Sequence, residues 1–528
     1  MTSVLPDSDA YQVYNTLTSL GCCLRCILRF LGVPVFENES LYKKPQQYFE
    51  KFGCNNGGES LPLKKIKLNP CPTCLNCFDD LLLQTIAEQL KTSSVNQYNY
   101  NTYMLNISFP KSVPIRTHSI CLHLKTTFPL LSLYNEDVEK PENNLELPHK
   151  IFRTIASDIF ANAIGKDYSP KSNLTILIAL GYEDDESEIE DIKNLEKKKF
   201  LGLARNYHRK NIKKNEFSRN VISELLNDVD PKQFIKLFSV PPVVPTKFAF
   251  LEAITIQADP IYIGGRYLKF KRNVAQTPWV VDGANVVEHN VQDIIFDAIQ
   301  NVTGIDKNKM TFTASGREDI DVRMLGKGRP FYIKIDDAYD GQIPKSSFDK
   351  IQEEIIATEL VAVIQLQNVL ASDTKIIKTG EIEKRKTYKA LCHTFVPNVQ
   401  DAVDIINGIS RNLEISQLTC MRVLHRRTML SRKKKVHKIF ASAIPGQHNL
   451  FELDVETDAG TYIKELVNGD FCRTEPNISS LVGFPVDVMA LDCVDIDLVW
   501  PNIEKNPTKS GKVCKNPEEI AKNHEAID

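Results

Sequence analysis

Ala314-Ser315-Gly316-Arg317-Glu318-Asp319-Ile320-Asp321-Val322-Arg323-Met324-Leu325-Gly326-Lys327-Gly328-Arg329-Pro330-Phe331 is the stretch on which the reading of this chain turns. It gathers three carboxylates and four cationic side chains between two apolar, alternating segments. Before it, Met310-Thr311-Phe312 alternates with the period of two that a half-buried strand requires. After it, Phe331-Tyr332-Ile333-Lys334-Ile335 repeats the pattern, with Phe331, Ile333 and Ile335 on one face. Gly316, Gly326 and Gly328 permit the backbone geometry of a tight loop between two strands. Catalytic residues often sit in such mixed-charge loops on a sheet. An exposed, salt-bridged loop fits the charge pattern equally well.

The same residues carry a resemblance. Gly316-Arg317-Glu318-Asp319 resembles the G-R-x-D signature of pseudouridine synthases, and the run from Gly316 to Phe331 resembles the archaeal and eukaryotic tRNA pseudouridine-54/55 synthase family. The four-residue match alone discriminates poorly, whereas the longer run keeps its spacing throughout. The resemblance implies an α+β catalytic domain on a long, mixed and mainly antiparallel sheet, with Asp319 as the catalytic residue. It also implies a reaction: isomerisation of uridine 54, uridine 55 or both in the TΨC arm of tRNA. That reaction breaks the N1–C1′ bond, turns the uracil and rejoins it through C5. No organic cofactor or catalytic metal is required, but the uridine must leave its stack. Asp319 would act either as a nucleophile at C1′ or as a base at C2′.

Further motifs extend the match. Lys386 to His393 alternates as a strand, with Tyr388, Ala390 and Cys392 on one face. Sequence alone favours a core tyrosine there, while the resemblance places Tyr388 against the target base. Residues 421–438 hold eight Lys or Arg and no acid, a composition that also suits a localisation tract. The Arg422-Val423-Leu424-His425-Arg426-Arg427 portion resembles the family, which assigns Arg426 and Arg427 to the tRNA backbone. Gly460-Thr461-Tyr462-Ile463-Lys464-Glu465-Leu466 resembles a second hallmark, shared with bacterial tRNA pseudouridine-55 synthases. From it Lys464 is expected to hold Asp319 ionised and oriented, although lysine lacks the planar fork of the arginine usual in the bacterial enzymes. Tyr462 would line the base pocket with Tyr388, and Arg317 would brace the flipped nucleotide. Gly469 to Ile478 continues the match with Cys472 in place of the usual glycine, and Ser479-Ser480-Leu481-Val482-Gly483 completes it, adding Leu481 to the substrate-binding residues. Asp321 is left for a pairing with Arg323 or Arg329.

The chain has 528 residues, enough for two to four domains, and its 42% hydrophobic and 25% charged composition is that of an ordinary globular protein. A formal net charge of −2 excludes a uniformly basic nucleic-acid coat, so RNA contact must come from local patches. Two such patches are Arg205 to Arg219 with Tyr207 and Phe217, and Tyr262 to Trp279, where Arg266, Lys269, Lys271 and Arg272 alternate with Tyr267 and Phe270. Taken separately, each also reads as a solvated face. Met1 to Leu20 has neither a basic nor an apolar leader segment, so an intracellular protein is expected, nuclear and cytoplasmic.

Thirteen cysteines, clustered in C-x-x-C pairs, suggest metal binding rather than disulfides. Cys23 pairs with Cys26, and in the second knuckle either Cys71 with Cys74 or Cys74 with Cys77. Four thiolates make a closed, structural Zn²⁺ site. The resemblance implies the set Cys23, Cys26, Cys71 and Cys74, within an N-terminal α/β region carrying a THUMP-type RNA-binding module.

Helices are expected over Asp79–Leu90, Ile151–Ile164, Val291–Val302 with Gly304 as C-cap, and Ile351–Leu370; Asn173–Gly181 reads as a strand. Glu183–Lys199 is expected to be a solvated segment without chemistry. The expected domains are 1–285 for the accessory region, 286–505 for the catalytic one and 506–528 for a tail without a fold. Phosphate-loop, H-E-x-x-H and G-x-S-x-G motifs are all missing. The competing reading from a different class is a zinc-containing RNA-binding scaffold on a degenerate synthase fold; a synthase acting on other transcripts is the enzymatic alternative.

Overall fold

The computed structural model describes residues 5–502 apart from 51–68, 193–221, 378–383, 410–411 and positions 136, 191, 224, 227–228, 282 and 426. The chain forms two compact units, Met1–Asp259 and Pro260–Asp528. The basic cluster of residues 205–219 and the tail beyond residue 502 lie outside the described residues.

In the first unit, β1 (Thr102–Ser108), β2 (Asp167–Tyr168), β3 (Leu174–Gly181) and β4 (Phe250–Ala258) form a sheet in the order β2-β1-β3-β4. Alternation explains the face that β3 buries: Leu174, Ile176, Ile178 and Leu180 all point into the core. Helix Asp80–Lys91 begins where Asp79 accepts the Leu81 amide, and helix Pro148–Ile164 ends at Gly165 with φ 67°. Their apolar stripes, Leu83, Ile86 and Leu90 with Ile151, Phe152, Ile155 and Phe160, join the same core. Within the acidic segment after Glu183, helix Asp185–Ile189 has a structural role. The Asp185 carboxylate accepts the Lys111 and Ser112 amides, and Glu188 accepts Arg116.

The second unit is an α+β structure on one large sheet. Its strands are β5 (Ile261–Lys269), β6 (Val280–Val281), β7 (Ala284–Asn285), β8 (Met310–Ala314), β9 (Val322–Ile335), β10 (Val361–Val369), β11 (Lys386–Thr394), β12 (Leu413–Leu418), β13 (Ser431–Ala443), β14 (Leu450–Thr457), β15 (Thr474–Glu475) and β16 (Val486–Ile496). All but the β6–β7 hairpin run in the order β10-β5-β9-β16-β11-β14-β13-β12-β15, with β8 added beside β9. Every pairing in this sheet is antiparallel except β9 with β16. Helix Val291–Thr303 starts on the Asn290 side chain, stops at Gly304 with φ 74°, and buries Val291, Ile295, Ala298 and Ile299.

Four expectations need correction. β5 pairs with β9 and β10, so residues from Pro260 onward belong to the second unit, ahead of the boundary expected near residue 285. The helix foreseen over Ile351–Leu370 stops at Ile356; Glu359 turns at φ 60°, and the β-branched run from Val361 to Val369 forms a strand. The charged stretch is not one loop: only Ser315 to Asp321 is, and β9 begins at Val322. Its inner glycines serve close strand approach, since a Cβ at Gly326 would meet Val494 O at 2.0 Å and one at Gly328 would meet Tyr267 O at 2.8 Å. Finally, Arg266, Tyr267, Lys269 and Phe270 are buried, which removes them from any RNA-binding surface.

Candidate active site

The loop from Ser315 to Asp321 is held from beneath by buried polar side chains. Glu318 points inward between the Arg329 Nε at 2.8 Å and the Tyr267 hydroxyl, which donates to it at 2.8 Å. Burial works against the Glu318 charge, but the Arg329 and Lys269 cations outweigh it and hold the carboxyl below its ordinary range. Lys269 is fully buried, and its ammonium donates to the carbonyls of Val274, Asp319 and Ile320 at 2.8, 3.2 and 3.3 Å. Arg272 Nη1 donates to the Asp321 carbonyl at 2.8 Å, and Gln276 Nε2 to that of Gly316 at 2.9 Å. Successive carbonyls of the loop thus have fixed donors. The outward acids Asp319 and Asp321 therefore stand on a rigid support.

The structure brings Asp319, Lys464, Tyr388, Tyr462, Arg317 and Arg427 around one cavity of about 240 Å³. Tyr388 comes from β11 and Tyr462 from the turn that starts helix Ile463–Asn468. Burial pushes the Tyr388 phenol well above its ordinary pKa, so it stays a neutral hydroxyl. Leu481 does not line this cavity. It is exposed on helix Ile478–Val482, whose buried side carries Ile478 and Val482. Arg426 lies outside the described residues.

The carboxylate partners differ from those expected. Lys464 Nζ meets Asp321 Oδ2 at 2.5 Å, and it is Arg422 whose Nη1 meets Asp319 Oδ2, also at 2.5 Å. The other edge of Arg422 donates from Nε to Glu465 Oε1 at 2.6 Å, and its guanidinium carbon lies 5.8 Å from the Tyr462 ring centroid. Burial disfavours the Arg422 charge, but Glu465 and Asp319 outweigh it and raise the pKa. For Asp321, burial is likewise outweighed by the Lys464 ammonium, and the carboxyl is held below its usual range. Arg323 and Arg329 are engaged elsewhere, with Asp492 and Glu318, so neither pairs with Asp321 as foreseen.

Arg422 escaped the sequence reading as a site residue because it looked like one more member of a basic run. A signal existed: Glu465 sits among Ile463, Leu466 and Val467 on a buried helix, and a buried carboxylate demands a cation.

In the first unit, the Sγ atoms of Cys23, Cys26, Cys71 and Cys74 lie within 4.8 Å of one another. Cys23 and Cys74 sulfurs are 3.7 Å apart, and the Cys23 amide donates to Cys71 Sγ at 3.3 Å. Four converging sulfurs, three of them on buried residues, fit a closed metal site with no open position. Cys22 is not one of the four; its sulfur lies 3.6 Å from Thr73 Oγ1 and also meets Cys71.

Comparison with known proteins bears on both units. Residues 262–497 match the family description "Pus10, C-terminal", and residues 71–256 match "Eukaryotic Pus10, N-terminal". The Drosophila melanogaster Pus10 protein is 32% identical over 496 residues, covering 92% of this chain and 96% of that one. The Homo sapiens tRNA pseudouridine synthase Pus10 is 28% identical, covering 93% and 97%. The Methanocaldococcus jannaschii tRNA pseudouridine synthase Pus10 is 35% identical but covers 48% of this chain and 57% of its own. Among solved structures, a Cbf5-Nop10-Gar1 complex overlaps slightly, at TM-score 0.25 and 15% identity over 44% of this chain and 48% of that one.

The two family matches, with the Drosophila relative covered over nearly its whole length, define a pseudouridine synthase, an isomerase. The chain belongs to the Pus10 family of tRNA pseudouridine synthases.

Proposed function

We propose that this protein isomerises uridine to pseudouridine at position 54, position 55 or both in the TΨC arm of tRNA, with Asp319 as the catalytic carboxylate. The observation that carries the reading is the cavity shared by Asp319, Tyr388 and Tyr462. It offers a carboxylate for the ribose and two aromatic rings for a base taken out of its stack. Arg422 holds the Asp319 carboxylate in a fixed orientation, so the group needs little reorganisation before it acts on C1′ or C2′. Lys464 assists through Asp321, and Arg317 and Arg427, both at the cavity, meet the flanking phosphates. The cysteine cluster takes Zn²⁺, which stiffens an N-terminal region that works as a THUMP-like RNA-binding module. A soluble enzyme of nucleus and cytoplasm fits this role, and no described helix is long and apolar enough to cross a membrane.

The test is pseudouridine mapping in unmodified tRNA transcripts treated with the protein and with Asp319→Asn and Asp321→Asn. Wild type should modify position 54, position 55 or both. Asp319→Asn should bind tRNA without turnover, and Asp321→Asn should retain measurable turnover. Near-normal turnover by Asp319→Asn overturns the assignment, while tRNA binding without turnover by wild type leaves a scaffold.

A further inference from the structure

Arg317, Glu318, Asp319, Arg422 and Lys464 line not one cavity but two. The first, with Tyr388 and Tyr462, holds the target uridine under the proposed function, and the role of the second depends on that reading. The second has a volume of about 340 Å³ and adds Ala275, Gln276, Pro278, Trp279, Ile320 and Asp321. It is within the ~300–1,000 Å³ range of ligand sites, and one flipped base does not occupy both.

Its walls are built. Gln276 is buried, and its amide donates to the Tyr267 hydroxyl at 2.8 Å and the Gly316 carbonyl at 2.9 Å. Trp279 adjoins the β6–β7 hairpin, where the Val286 amide donates to its carbonyl at 2.8 Å. The chain has two tryptophans. Trp500 is buried against Gly264, as a core indole should be, whereas Trp279 is 44% exposed at the mouth of a charged cavity. An indole presented beside arginine and lysine is the combination that binds single-stranded nucleic acid, with the ring stacking a base and the cations meeting its backbone.

The substrate is a polymer, so the nucleotide bonded to the target uridine must lie beside the first cavity. The shared wall of Asp319, Arg422 and Lys464 puts the second cavity there. We propose that this second cavity receives the base of the nucleotide next to the target uridine, stacked on Trp279, so that two neighbouring nucleotides leave the helical stack together. Trp279 is thereby a substrate-binding residue that selects RNA able to unstack at that neighbour.

The probes are tRNA transcripts carrying a single abasic nucleotide immediately 5′ or immediately 3′ of one target uridine, with pseudouridine scored at that uridine alone, assayed with wild type, Trp279→Ala and Trp279→Phe. Trp279→Ala should lower kcat/KM on intact tRNA on the order of 10- to 100-fold, the range for loss of one base–aromatic stack, and Trp279→Phe should recover most of it. One of the two abasic transcripts should cost wild type a similar factor, while Trp279→Ala should be indifferent to that same change. Losses that multiply for both transcripts, or unaltered kcat/KM in Trp279→Ala, overturn the proposal. A turnover-free readout uses 2-aminopurine at the same position with Asp319→Asn. Its fluorescence in the complex should be quenched, and brighter once Trp279 is also replaced by Ala; equal brightness overturns the proposal. If wild type makes no pseudouridine in intact tRNA, the underlying functional reading fails instead, a distinguishable result.

Discussion

The Arg422 guanidinium lies 2.5 Å from the Asp319 carboxylate, in the place that the sequence reserves for Lys464. Its planar fork lets one side chain serve two carboxylates at once, Asp319 through Nη1 and Glu465 through Nε, which a lysine ammonium could not do in a fixed plane. Glu465 is 4% exposed, so the fork is anchored on a buried acid and presented to a partly exposed one. Lys464 is left to Asp321.

This division predicts unequal mutants. Hydrogen bonds to charged groups are worth about 1.5–3 kcal/mol, so Arg422→Met should lower kcat roughly 10- to 100-fold with little change in tRNA affinity. Lys464 and Asp321 form a pair about as exposed as Arg422 with Asp319, 24% and 51% accessible against 37% and 35%. This pair lacks a buried anchor like Glu465 and does not touch Asp319; worth at most about 1 kcal/mol, it should cost no more than about fivefold in Lys464→Met. Separate kcat and KM values for the two variants decide it. A larger kcat loss in Lys464→Met would return the lysine to Asp319.

The buried pair of Glu318 with Arg329 predicts an acid limb in stability. Both side chains are nearly inaccessible, so removing one partner by Arg329→Met should destabilise the second unit by about 3–5 kcal/mol. Glu318 titrates below its ordinary value of 4.5 in the fold. Its contribution is therefore fully present above the unfolded-state pKa and is lost as pH falls through the depressed folded one. Thermal melts taken from neutral pH downward should show a falling Tm in that acid window, and Glu318→Gln should flatten part of the fall at the cost of a lower Tm at neutral pH.

Much of this architecture is legible in the sequence where periodicity is strong. The helix over Val291–Thr303 and the strands at Leu174–Gly181 and Lys386–Thr394 follow from spacing alone. Val361–Val369 does not, because its apolar stretch Val361 to Ile364 looks alike as helix and strand until its β-branched content is weighed. The cationic residues of β5 mislead for another reason: alternating Arg and Lys suggests a solvated or RNA-facing strand, but Arg266 and Lys269 turn inward to satisfy backbone carbonyls. Which acid meets which base at the site was beyond reach. Asp319 and Asp321 share a side of the chain, and only the fold decides between Arg422 and Lys464.

Arg427 is exposed and lines the Asp319 cavity, and under the proposed function it meets a tRNA phosphate there. Arg427→Ala should weaken tRNA binding and lower the slope of log affinity against log salt by about one unit, as expected for one lost phosphate contact. Binding measured across a series of salt concentrations tests this. An unchanged slope would leave the basic run without a backbone role at that residue.

The cysteine cluster yields the last prediction. Its four sulfurs come from two chain segments, Cys23 with Cys26 at the start of helix Leu24–Phe30, and Cys71 with Cys74 in the turn before helix Asp80–Lys91. A metal there ties both segments into the core around Ile27, Leu75 and Ile86. Structural zinc in small peptides contributes about 10–16 kcal/mol of apparent binding free energy, so its loss should loosen the whole first unit rather than one loop. Elemental analysis should find one zinc per chain. Cys71→Ser should lose it and lower the Tm, and a chelator should do the same to wild type. Cys22→Ser is the comparison: its sulfur meets Thr73 at 3.6 Å and Cys71 but is not among the four that converge, so the metal should stay. Full zinc content in Cys71→Ser with loss in Cys22→Ser would exchange the two ligands.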